Sequence, residues 1–171
     1  MTYNLHPLFV HFPIALLFVY AVIKILPTQK WLPSVSWKQI ERALLFFGVL
    51  GAFVALLTGE AAQQLFQPNR QLVEMHSTFA TISTWVFGAL FVGEILSMLH
   101  MYINAKMHTV GFKRLIFGLE RLLTGRIFSV VLALVGLIAI SVTGLLGGVM
   151  VYGLSTDPVA ASVVKLLGIV L

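Results

Sequence analysis

Residues 5–18 read LHPLFVHFPIALLF. From position 7 to position 26, where Pro27 closes the run, almost every residue is apolar, and about 20 such residues are what a helix needs to cross a bilayer. Two histidines, His6 and His11, stand at the mouth of this segment, each within two residues of a proline. An ionisable side chain near hydrocarbon is expensive, so it marks a functional site by default. His76 opens a later apolar segment in a similar place.

The rest of the chain follows the same pattern. Of its 171 residues 59% are hydrophobic and only 10% charged, and the mean hydropathy is +0.99. A soluble domain has no interior large enough for that much apolar surface. Four spans are expected, at residues 7–26, 40–66, 73–102 and 127–152. Together with a basic loop at 104–126 they make a membrane domain of residues 1–155, followed by a tail of residues 156–171. The expected fold is all-α, an up-down bundle of four transmembrane helices in contact with lipid. A cleaved leader is not expected, because no Lys or Arg precedes the first apolar run. The chain has no cysteine, which excludes disulfides and thiolate ligands.

The pI of about 9.8 does not point to nucleic acid, because the basic residues gather in two loops. Lys24, Lys30, Lys38 and Arg42 fall around the first, and Lys106, Lys113, Arg114, Arg121 and Arg126 around the third. Positive charge marks the cytoplasmic side. The expected topology has both termini outside, which is the periplasm if the membrane is a bacterial inner membrane. His6, His11, Glu60, His76 and Tyr152 then share the outer end, while His100 and His108 fall at the inner end. The third loop contains GFKRLIFGLERLL, with cations and apolar residues at helical spacing. It reads as a helix on the membrane surface, or as a docking helix for a partner. The tail is too short to span and reads as an interfacial or bundle-packing helix.

The spans also suggest two related hairpins. His11 opens the first and Thr58-Gly59-Glu60 ends it; His76 opens the second, and Thr143-Gly144 lies near its end. The first and third spans would then run parallel, diagonally across the bundle, with His11 and His76 at similar depth. Ala15 and Ala80, four residues on, would leave room for a flat ligand. Small residues at three- or four-residue intervals (Gly48, Ala52, Ala55, Gly59, Gly144, Gly148) favour close helix packing.

Imidazole is an axial ligand of haem iron and a ligand of zinc, copper or iron ions. Three readings follow. In the first, His11 and His76 hold a b-type haem, with His6 as the alternative first-span ligand and Arg70 and Tyr152 as further contacts; Arg70 is the outer cation that would pair with propionates. In the second, His6, His11, His76 and Glu60 hold a metal ion. In the third, the histidines are structural. Pro13 frees the Phe9 carbonyl inside the first helix. Glu94, deeper in the third span, would serve a proton path or bond across helices. Serines and threonines of that span (Thr78, Thr81, Ser83, Thr84) would bond to their own backbone. There is no phosphate loop and no nucleophile–base pair, so an enzyme acting alone is not expected.

The opening His6-Pro7…Val10-His11-Phe12-Pro13-Ile14 resembles the start of the small predicted membrane proteins of domain-of-unknown-function family 2231. Thr58-Gly59, His76 and the segment Thr143-Gly144…Gly147-Gly148…Val151-Tyr152 fall in that family's order. The resemblance covers about residues 5–155 and implies four spans. Members often carry a histidine within the fourth-span segment, where this chain has Leu145-Leu146. Members also occur beside or fused to Rieske or cytochrome c domains. That association implies electron transfer at the outer face. With no substrate pocket of its own in view, the chain is expected to be one subunit of a larger redox assembly, with a non-catalytic accessory subunit as the alternative; a homo-oligomer is also open.

Overall fold

A computed structural model describes residues 6–65, 69–107, 109–154 and 158–169. Among these there is no strand. The helices are α1 (His6–Ile25), α2 (Thr28–Trp31), α3 (Trp37–Leu65), α4 (Arg70–Lys106), α5 (Val110–Thr124), α6 (Arg126–Tyr152) and α7 (Pro158–Leu166). Four of them, α1, α3, α4 and α6, are long and apolar enough to cross a membrane. Around the bundle α1 packs on α3, α3 on α4, α4 on α6 and α6 on α1. That ring puts α1 and α4 on one diagonal, running the same way. His108 lies outside the described residues.

Helix limits depart from the sequence reading where polar groups extend a helix beyond its apolar run. The start of α4 lies three residues before position 73, because the Asn69 side chain accepts from the backbone N–H groups of Gln71 and Leu72, satisfying two otherwise unpaired donors. Its far end reaches Lys106, where the Asn104 carbonyl accepts from Lys113 Nζ. The expected amphipathic helix is α5, which exposes Val110, Phe112, Leu115 and Leu122. It is held to α4 by His100, whose ring stacks on Phe117 with centroids 4.2 Å apart and whose Nδ1–H donates to Glu120 at 2.7 Å. The tail packs on the bundle: Ala160 and Val164 of α7 and Ile169 beyond it join Leu72, Leu146 and Val149 in one buried cluster.

The main core lies in the middle of the bundle, where Leu17, Tyr20, Leu45, Val49, Phe87, Leu90 and Ile140 meet. Outward-facing Leu57, Trp85 and Ile138 are exposed, as lipid contact requires. Glycines set the helix spacing. A Cβ on Gly48 would come within 2.6 Å of Leu17 Cδ2, and one on Gly136 within 2.7 Å of the Phe87 ring. Gly88 has nothing within 4 Å of that position. Gly48→Ala is therefore expected to destabilise by about 1–3 kcal/mol through overpacking. Gly88→Ala should be neutral or better, since alanine is the stronger helix former. Unfolding of both variants in detergent checks the contrast.

The cations around the first loop are not all loop residues. Lys24 ends α1 and donates to Glu41 of α3 at 3.0 Å, with both side chains buried. Lys38 and Arg42, in the first turns of α3, reach opposite oxygens of Glu94 on α4 at 2.9 and 3.1 Å. Glu94 is thus tied across helices by two cations. Ser83, Thr84 and Thr78 do bond to their own helix backbone, at the carbonyls of Ala80 and Glu74.

Candidate site at the histidine end

Helical phase decides which histidine enters the bundle. The buried face of α1 is Pro13, Leu17, Tyr20, Ala21 and Lys24. His6 lies seven residues before Pro13, two turns away and on the same face; His11 lies two residues before it, on the opposite face. His11 is accordingly exposed, its Nδ1–H donating to the Pro7 carbonyl of its own helix at 2.7 Å. Ala15 goes outward with it. On α4, His76 lies seven residues before buried Ser83 and four after buried Leu72, so it faces the interior.

The rings of His6 and His76 meet across the diagonal. Their centroids are 6.4 Å apart and the planes nearly perpendicular, at 85°. Each ring is pinned to the neighbouring helix of its own hairpin. Nδ1 of His76 lies 3.0 Å from the Thr143 carbonyl of α6. A carbonyl only accepts, so Nδ1 carries the proton and Nε2 the lone pair. Nδ1 of His6 lies 3.1 Å from Oγ1 of Thr58 on α3. That hydroxyl points its own proton at the Ala55 carbonyl, 3.1 Å away, so its oxygen accepts from His6. Glycines make the room: a Cβ on Gly59 would stand 3.2 Å from the His6 ring, and one on Gly147 3.3 Å from the His76 ring. The two hairpins thus repeat one device, a histidine laid over a glycine and fixed beside a threonine, with His6 rather than His11 as the counterpart of His76.

The other expected contacts do not join the pair. Glu60 is exposed at the end of α3. Arg70 is almost fully exposed and bonds Glu74 one turn along α4 at 3.0 Å. Tyr152 is 72% exposed. The four-ligand set of His6, His11, His76 and Glu60 is not assembled, because His11 faces away and Glu60 stands outside. Among the described residues there is no group of three or more metal-ligating side chains.

The family model described as "Predicted membrane protein (DUF2231)" matches residues 2–158. The chain belongs to this family. The match takes in both hairpins and the whole of α5, so the His6–His76 pair and the polar cluster at the basic end both fall within the family's extent. No curated protein and no solved structure matches the chain.

Proposed function

We propose that the protein is a membrane-embedded electron-transfer protein or redox-complex subunit that holds a b-type haem between His6 and His76. The observation that carries this reading is the two-imidazole geometry. The two rings come from different hairpins and their centroids are 6.4 Å apart, so His6 and His76 are the two side chains that would hold one metal centre between them. Both rings are oriented through Nδ1, the second-sphere arrangement that fixes tautomer and ring direction for a ligating histidine. A zinc, copper or iron ion held by protein alone needs three or four ligands. A haem brings four of its own and needs two. Two histidines with no third ligating side chain among the described residues favour the haem over the bare ion. Bound haem would supply one-electron chemistry; the chain would supply the two histidines and their orientation at the histidine end of the bundle. On the positive-inside rule the histidine end faces the periplasm of a bacterial inner membrane, where a soluble or membrane-bound redox partner would meet it.

A second reading has its own observation. Because each ring already bonds to the neighbouring helix, the pair also fits a purely structural staple in an accessory subunit. A reduced-minus-oxidised visible spectrum of the full chain, purified after expression with ample haem, separates the two. A sharp b-type band is expected; a flat spectrum would leave the staple.

A further inference from the structure

The opposite, basic end carries a second constellation. Between α2 and the first turns of α3 lies a cleft of about 590 Å³, lined by Gln29, Ser36, Trp37, Lys38, Gln39 and Arg42 among others. One wall is fixed by the Trp37 indole, whose N–H donates to the Leu32 carbonyl at 2.9 Å. Lys38 and Arg42 are both held at the cleft by Glu94, which takes Nζ of Lys38 on one oxygen and Nε of Arg42 on the other.

Charge and donor counts are unbalanced there. Three cations (Lys24, Lys38, Arg42) share two carboxylates (Glu41, Glu94). Arg42 spends only its Nε–H on Glu94; its two terminal amino groups make no hydrogen bond to another described residue. A guanidinium presents its donors in a fork that matches phosphate oxygens. Lys38 remains 48% exposed beside it. Apolar side chains line it too, Pro33 and Val35 among them, and Trp31 and Leu32, which lie between lining residues Gln29 and Pro33 in sequence, are 62% and 53% exposed. A positive cleft with hydrogen-bond donors, lined also by Trp37, Pro33 and Val35, suits an amphiphile with an anionic head. Nine of the chain's eleven cations lie at this end, and basic pockets between helices on that side bind anionic head groups.

We infer that the α2–α3 cleft binds the phosphodiester head of an anionic phospholipid, clamped by Lys38 and Arg42 with Glu94 holding both cations in place. The site is separate from the histidine pair and stands or falls without it. The test uses the full chain in detergent with Trp85→Phe, so that Trp31 and Trp37 report, and brominated phosphatidylglycerol as quencher. Saturable quenching is expected, with apparent affinity about fivefold weaker in Lys38→Gln and again in Arg42→Gln. It should be unchanged in Arg114→Gln, whose cation lies on α5 outside the cleft. Brominated phosphatidylcholine should not saturate. Equal quenching by the two lipids, or full binding in Lys38→Gln, overturns the proposal. Inorganic phosphate displacing the lipid at matched concentration would give the cleft to free phosphate and overturn the lipid assignment. If Arg42→Gln does not fold, half-exposed Lys38 still decides the matter.

Discussion

If the chain holds the proposed b-type haem, the His76→Ala variant is expected to lose the difference band, His6→Ala to lose it as well, and His11→Ala to keep it. The pattern follows from phase. His6 and His76 come from diagonal helices that run the same way, and their rings lie 6.4 Å apart. His11 is turned outward and engaged with its own helix at Pro7. Removing either histidine would take away one of the two side chains proposed to hold the group, so all or nearly all of the band should be lost. Thr58→Val adds a finer result. It deletes the hydroxyl that accepts from His6 Nδ1–H but keeps both histidines and the Ala55 carbonyl beside His6, and losses of such outer contacts cost about 10- to 100-fold in affinity. The band should persist, with haem lost more readily on dilution. The decisive contrast is His6→Ala against His11→Ala. If His11→Ala abolishes the band and His6→Ala spares it, the diagonal pair is not the ligand set. If no variant changes a band seen in the parent, the histidines are not ligands at all.

How much of this was legible beforehand depends on contrast between residues. Four spans, the amphipathic α5 and the diagonal placement of the first and third spans follow from apolar length, loop charge and chain order, and the structure has them. Which histidine faces inward did not follow. Helix α1 is apolar on every side, because lipid and protein interior both accept Leu, Phe and Ile, so amphipathic periodicity carries no phase. Besides His6, the polar markers of its inner face are Tyr20 and Lys24, both toward the far end. Lys24 lies eighteen residues after His6, five full turns, which puts the two on one face; but a lysine beside a loop reads as a loop charge. The same habit hid the polar network. Lys24, Lys38 and Arg42 counted as orientation signals, although Glu41 and Glu94 at matching depth were available as partners. Ion pairs between helices leave no local pattern, since their members stand 17 to 56 residues apart.

That network supplies the largest expected stability effect. Glu41→Ala should destabilise the bundle by about 3–5 kcal/mol, because it strands a buried ammonium. Lys24 and Glu41 are 11% and 8% exposed, and the bond between them is 3.0 Å long. Within the 3.0 Å contact the attraction offsets two desolvation costs; without Glu41 the cost of Lys24 remains and the attraction is gone. The exposed Arg70–Glu74 pair is the internal control, since Glu74→Ala should cost no more than about 0.5 kcal/mol. The informative variant is the double one, Lys24→Met with Glu41→Leu. Replacing both charges by apolar groups of similar size removes the attraction and both desolvation costs together, so stability should return to within about 1–2 kcal/mol of the parent. Unfolding by a denaturing detergent, followed by circular dichroism, reads all of these. A double variant as unstable as Glu41→Ala would mean that the pair contributes net stability of its own. Recovery would mean that its stability contribution is replaceable, and would direct attention to what else a charge at that depth provides: a fixed register between α1 and α3, and with it the alignment that carries His6 to Thr58 at the other end of the same hairpin.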